Sequence, residues 1–278
     1  MMQQMLVGLG GASLSIDEVF STKIYTGNSN TSGTGPGQSI NNGLDLAGEG
    51  GLVWTKRRTP DHYSHMLFDT KRGVTKYIQT NGATQQGTSG TDFSSFNSNG
   101  YTLGPYQTLG TQLNYTGVGY VSWSFRKAPG FFDLISYTGN GQNGRNINHD
   151  LGSVPGMIIS KRLDASENWG VWHRSLGTSG LYLNANNSAG VTGVPNNHTS
   201  TTFEVSSGYG LDNTNGATYI AYVFAHEDMI KCGSYVGAVG RNVNLGFEPQ
   251  LVIAKKSSGA GHWAVSYTHL TLPTNREV

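Results

Sequence analysis

The sequence predicts an all-β chain built from tandem β-sandwich modules of jelly-roll or lectin-like type. Three observations carry the prediction. Among 278 residues there are 40 glycines and only 13% charged residues, about half the usual charged share, and long runs of helix formers are missing. Short apolar runs bounded by glycine, proline or charge punctuate the chain. These runs also return in the same order at a spacing of about 100 residues.

The repeat is visible by eye. LISYTGNG (134–141) echoes TKIYTGNS (22–29), and CGSYVGAV (232–239) echoes both. An apolar run ending in basic residues follows each time: GLVWTKRR (51–58), GMIISKRL (156–163) and QLVIAKKS (250–257). HMLFDTKRG (65–73) then aligns with WGVWHRSLG (169–177), and Trp263 opens the third copy of that stretch. GYVSWSFRKA (119–128) and TYIAYVFAHE (218–227) close the first two copies. Expected are an N-terminal segment 1–16, module one over 17–128, module two over 129–228 and a truncated third copy over 229–264. A period this long suits a small domain that buries its own core, not a solenoid repeat.

The elements follow in order. GLVWTK, GMIISK and QLVIAK read as strands buried on both faces. In WGVWHRS, YVSWSF and YIAYVF, alternate residues share a face, as in a half-buried sheet. NGYTLG (99–104) and TTFEVSS (201–207) read as further strands. Trp54, Trp123, Ile158, Ile159, Trp169 and Phe224 are the expected core. The junction RKAPGFFD (126–133) is short and carries Pro129 and Gly130, which implies modules in a fixed mutual relation.

SYTGNGQNGR (136–145) contains G-x-G-x-x-G at Gly139, Gly141 and Gly144. A dinucleotide loop must feed a helix whose N-terminus meets the pyrophosphate, but RNINHDLG has no helical period. The first copy, GNSNTSGTGPG, and the third, GAVGRN, do not keep the spacing. The reading is a hairpin turn, and no cofactor is expected.

Net charge is +1, without the basic stripe of a nucleic-acid binder. The single cysteine, Cys232, excludes an intrachain disulfide and a multi-cysteine zinc site. It suits a reducing compartment. No apolar run reaches the roughly 18–20 residues of a membrane span, and MMQQMLVGLGGASLSI is a poor signal peptide. The histidines His149, His173, His198 and His226 lack metal-ligand spacing, and no calcium loop, G-x-S-x-G or H-E-x-x-H occurs. Glu227 and Asp228 are the only adjacent acids in module two. The position aligned with Glu227 is Ala128, so no catalytic residue is assigned and a glycan-cleaving enzyme is the remote reading.

Two candidate ligand-binding groups remain. The basic pairs Lys56–Arg57, Lys161–Arg162 and Lys255–Lys256 recur in every copy. They read as strand-end charge that discourages edge pairing or as anion contacts for a surface polysaccharide. Trp172, His173 and Arg174 would place an aromatic beside a cation, which suits a sugar ring. Against this, Trp172 aligns with Phe68, which reads as core.

DEVFSTKIYTGN, LDLAGEGGLVWTKRR, FDTKRG, SWSFRKAPGFFD, SYTGNG, LGSVPGMIISKR and NWGVWHRSLG together resemble a family of uncharacterised tail or tail-fibre-type structural proteins of marine tailed bacteriophages. The resemblance covers nearly all of residues 14–264. It implies a virion component assembled in the host cytoplasm, with other virion proteins and a host surface glycan as partners. By analogy with fibres it implies a homo-oligomer, a trimer. A carbohydrate-binding module array of an adhesin is the alternative. Neither nucleic acid nor membrane insertion is expected. VSYTHLTLPTNREV (265–278) resembles a translated sequencing adapter and is expected to be a non-native tail.

Overall fold

The computed structural model describes residues 14–29, 37–58, 63–105, 113–208 and 211–268. Among them there is no α-helix, only two short 3-10 turns at Ile16–Glu18 and Arg174–Leu176. The first repeat contains β1 (Phe20–Thr26), β2 (Gln38–Ile40), β3 (Gly51–Arg57), β4 (Met66–Asp69), β5 (Lys76–Gln79), β6 (Gly87–Thr88), β7 (Phe93–Asn97), β8 (Gly100–Leu103) and β9 (Gly119–Arg126). The second contains β10 (Phe132–Thr138), β11 (Arg145–Asn148), β12 (Met157–Arg162), β13 (Gly170–His173), β14 (Ser179–Tyr182), β15 (Val191–Thr192), β16 (Thr202–Val205) and β17 (Thr218–Phe224). A last hairpin pairs β18 (Leu251–Ala254) with β19 (Ala264–Tyr267).

Both repeats weave the same sheet. The first runs β1-β9-β3-β4-β5-β6 and the second β10-β17-β12-β13-β14-β15, antiparallel throughout. The registers agree residue for residue: Val53 faces Phe68 as Ile158 faces Trp172, and Lys56 faces Val121 as Lys161 faces Ile220. A small second sheet covers one face of each, β2-β8-β7 in the first repeat and β11-β16 in the second. Each repeat is therefore a two-layer sandwich. Tyr25, Val53, Phe68, Phe93, Tyr101 and Tyr120 fill the first interior, and Ile147, Ile158, Trp172, Phe203, Tyr219 and Val223 the second.

Each repeat thus has the core of its own that the sequence led one to expect, and a third interior, not expected, joins the two. The other face of each six-stranded sheet turns into one shared interior. Phe20, Leu52, Trp54, Trp123 and Phe125 of the first repeat meet Phe132, Ile159, Trp169, Tyr222 and Phe224 of the second. Phe125 lies 5.7 Å from Phe132 and 5.6 Å from Phe224, ring centre to ring centre. Each such buried side chain contributes about 1.5–3 kcal/mol, so the repeats are welded together.

The alternation in β9 and β17 therefore does not mark a half-buried sheet. Both faces are buried. Ser122 and Ser124 point into the first sandwich, where Ser122 accepts from the Tyr101 hydroxyl at 2.7 Å and Ser124 from Asn42 Nδ2 at 2.9 Å. Buried hydroxyls are tolerated because they are hydrogen-bonded.

The YTGN motif is a clasp. Tyr25 stacks on Tyr120, and Tyr137 on Tyr219, both at 5.0 Å. Next to them Asn114 Oδ1 accepts from the Asn28 N–H and its Nδ2 donates to Asn28 Oδ1, each at 3.0 Å. Asn213 repeats both bonds with Asn140, at 3.2 and 2.6 Å. The first glycine of each loop is required for this approach. A Cβ on Gly27 would stand 2.2 Å from the Tyr115 carbonyl oxygen, and one on Gly139 2.1 Å from that of Thr214. Glycine here lets two backbones close on each other.

The last hairpin matches β3–β4 and β12–β13: Val252 pairs with Ser266 as Ile158 does with Trp172. Its strand β19 runs through Tyr267, three residues beyond the expected module boundary at 264. Residues 269–278 lie outside the described residues.

Candidate functional site

The candidate residues of the second repeat lie at one end of its sheet. Pairing with Ile158 carries Trp172 into the second sandwich, where it is 3% exposed. This corrects the expectation of an exposed sugar platform: the ring packs in the core, as Phe68 does in the first repeat. Its Nε1 donates to the Gly177 carbonyl at 3.0 Å and to Asn196 Oδ1 at 3.2 Å, and His198 meets the ring edge-on at 4.2 Å. His173 caps the following 3-10 turn, with Nδ1 accepting from the Ser175 N–H at 3.2 Å. That turn pushes Arg174 out to solvent.

An open cleft of about 450 Å³ lies beside Trp172, between Arg174, Asn196, His198, His226 and Glu227. Burial, reinforced by His149, holds His198 at about 4, so it is neutral at pH 7. His226 is lowered first by burial and then by Arg174, and its Nδ1 accepts from the Cys232 N–H at 3.0 Å. Burial pushes the Cys232 thiol up to about 12, which leaves it a poor nucleophile. The cleft thus offers one exposed cation, one carboxylate and amide and imidazole groups. It suits hydrogen bonding to a polar ligand and lacks the carboxylate pair of glycoside hydrolysis.

Lys161 requires a second correction. It is fully buried and belongs neither to an anion-binding row nor to an exposed strand end. Its Nζ donates to the Glu167 carbonyl at 2.9 Å and across the repeat boundary to the Ala83 carbonyl at 3.2 Å. Burial lowers it to about 8. Arg162, next in sequence, points outward and pairs with Asp164 at 2.8 Å.

Arg162 opens onto a smaller cleft of about 180 Å³ that also contains Ser160, Glu167, Tyr182, Asp212 and Tyr219. Burial favours the neutral form of Asp212, yet its hydrogen bonds hold it below the ordinary carboxylate range: Tyr219 donates at 2.6 Å, Thr214 at 2.9 Å, and the Gly208 and Asn213 amides at 3.0 and 2.8 Å. Burial, followed by the Asp212 charge, raises Glu167. The sequence did not reveal this pair, because 45 residues separate its members and only the weave of β12 and β17 joins them. With every lone-pair direction of Asp212 engaged, it anchors its loop. Among the described residues no group of three or more His, Cys, Asp or Glu could hold a metal ion.

One family model, described as Domain of unknown function (DUF7483), matches residues 16–271, through both sandwiches and the last hairpin. The chain belongs to the DUF7483 family. No curated protein and no solved structure matches it. The DUF7483 match and strand β19 both run past residue 264, so the domain continues into the stretch expected to be a non-native tail.

Proposed function

We propose that this DUF7483 chain is a non-catalytic structural component of a tailed-phage virion, in the tail or tail fibre, where it faces the host surface. The observation that supports it best is the shared aromatic interior between sandwiches, which makes a rigid, charge-poor body with outward polar clefts. The ordered sequence blocks that resemble phage tail proteins support the same reading. Other virion proteins are its partners, and its site of action is the particle assembled in the host cytoplasm. Immunogold labelling and mass spectrometry of purified particles test this: the chain is expected in virions, and a clean absence overturns the proposal.

A carbohydrate-binding module array is the second reading, favoured by the cleft beside Arg174. Trp172→Ala is a poor test because that ring is core. Arg174→Ala leaves the packing untouched and is expected to abolish any glycan-array signal. Retained binding in that variant removes the cleft from consideration.

A further inference from the structure

The two repeats use the same backbone positions differently around the cleft beside Trp172. Thr70 and Arg174 hold one such place: each lies two residues after the aligned Phe68 or Trp172, and each amide donates to a glycine carbonyl, Gly51 or Gly156, at 3.0 Å. In the first repeat the side chain serves the fold, because Thr70 Oγ1 accepts from the Gly51 amide at 3.0 Å. Arg174 is exposed, and among the described residues its guanidinium has neither a hydrogen-bond nor an ion-pair partner. Ala128 and Glu227 hold a second such place, their amides donating to the Phe132 and Ile230 carbonyls at 2.9 Å. Before Ala128, Lys127 is engaged by Asp133 at 3.2 Å and Asp150 at 2.7 Å. Before Glu227 stands His226, and the Glu227 carboxylate has no partner among the described residues. The first repeat thus ties these side chains into its own structure, while the second leaves them facing the cleft.

Hydrogen-bonding capacity around the cleft is sorted. Asn196 Oδ1 accepts from Trp172 Nε1, which fixes the amide and leaves Nδ2 as a donor. His226 Nδ1 accepts from the Cys232 N–H, so the neutral ring carries its proton on Nε2. Arg174 adds a planar fork of five donors. With His198 and His226 neutral at pH 7, Arg174 is the one positive charge among the cleft's lining residues. An unpaired guanidinium is matched best by a carboxylate, which it binds through two parallel bonds. Glu227 supplies the acceptor: it takes hydrogen bonds from hydroxyls and repels a second negative charge. One wall is apolar, formed by Pro155 and by Val154, which is 54% exposed. The volume of about 450 Å³ falls within the roughly 300–1,000 Å³ of small-ligand sites.

We propose that this cleft takes an acidic sugar of the uronate class. The proposal deepens the carbohydrate reading of the cleft and rests on it. The sugar carboxylate pairs with Arg174, with Asn196 Nδ2 and His226 Nε2 as further donors. Ring hydroxyls donate to Glu227, and the C–H face of the ring lies on Val154 and Pro155. A neutral sugar would leave the guanidinium without a counter-charge, and a doubly charged ligand would meet Glu227 with only one cation to offset it.

The test prints oligosaccharides of galacturonate, glucuronate, guluronate and mannuronate on an array, each beside its carboxyl-reduced form and an O-sulfated neutral counterpart. Every hit is followed by calorimetry with the full chain. At least one uronate is expected to bind, with its carboxyl-reduced form at least about tenfold weaker. Arg174→Ala is expected to weaken uronate binding at least about tenfold, and circular dichroism checks its fold. Lys231 lies outside the cleft, 3.9 Å from Asp228. Lys231→Ala removes the same charge and is expected to leave the affinity within about twofold. Equal binding of a uronate and its reduced form overturns the acidic-sugar inference and leaves the carbohydrate reading standing. A sulfated sugar bound as tightly as the uronate does the same. Equal losses in Arg174→Ala and Lys231→Ala reduce the effect to net charge and also overturn the inference. Silence towards every printed glycan overturns the inference and the carbohydrate reading together.

Discussion

The shared interior makes a quantitative prediction at Tyr222. Its hydroxyl belongs to the second repeat and donates to Asp69 Oδ2 of the first at 2.7 Å. The same oxygen accepts from Arg72 Nε at 2.6 Å, and Arg72 NH2 donates to the Leu67 carbonyl at 3.1 Å. Burial, and then the Asp69 charge, raises the Tyr222 phenol well above its ordinary value, so it stays a donor. Tyr222→Phe removes one hydrogen bond to a charged acceptor and little else, a cost of about 1.5–3 kcal/mol. Asp69→Ala strands the Arg72 guanidinium, whose side chain is 3% exposed, and costs about 3–5 kcal/mol. Urea unfolding followed by tryptophan fluorescence reads both, and a double-mutant cycle isolates the coupling across the boundary. A single transition that moves as a whole is expected. Two transitions of which only one responds, or a Tyr222→Phe effect within about 0.5 kcal/mol, refute the argument that the repeats fold around a common centre.

Other outcomes follow from the same geometry. Gly139→Ala drives a methyl into the Thr214 carbonyl and is expected to cost more than Gly144→Ala, which meets only Glu204 Oε1 at an ordinary 3.5 Å but holds φ at +71°, about 1–2 kcal/mol; equal thermal shifts would contradict the clasp. Asn213→Ala deletes the bonds to Asn140, one to the Gln142 carbonyl at 2.7 Å and one from Arg145 at 3.2 Å, each contributing about 0.5–1.5 kcal/mol, and calorimetry of the variant checks the sum. Burial, and then Lys56, holds His65 at about 4, and its Nδ1 accepts from Trp54 Nε1 at 3.2 Å. The unfolded chain takes up that proton below about 6.5 and the folded chain does not until about 4. Stability is therefore full above 6.5 and declines as pH falls through this window, by up to about 1.4 kcal/mol per pH unit for one histidine. His65→Gln is expected to flatten the decline, and urea midpoints that keep the parent slope between pH 7 and 5 would show that His65 is not responsible.

The repeat, the strands and the burial of Trp172 were legible because aligned blocks carry register: once Phe68 and Trp172 align, both take the same face. The shared interior was not legible. Alternation tells two faces apart but not solvent from a second core, and Ser122 and Ser124 imitate a wet face while accepting buried hydrogen bonds. Lys161 misled for a similar reason. A charge at the end of an apolar run reads as exposed, and only the carbonyls of another repeat reveal that it has been drawn inside. The pairing of Glu167 with Asp212 left no local trace at all.

Beyond the bond from Tyr222 to Asp69, the seam between repeats is read through main-chain oxygens. Tryptophan and lysine side chains and the Glu167 and Gly261 amides supply the donors, while Gln79, Ala83, Tyr182 and Asn186 contribute only their carbonyls. A carbonyl is the same whichever residue bears it, so these turns are free to drift in sequence without loosening the joint. Alanine in one repeat and asparagine in the next already receive the same lysine.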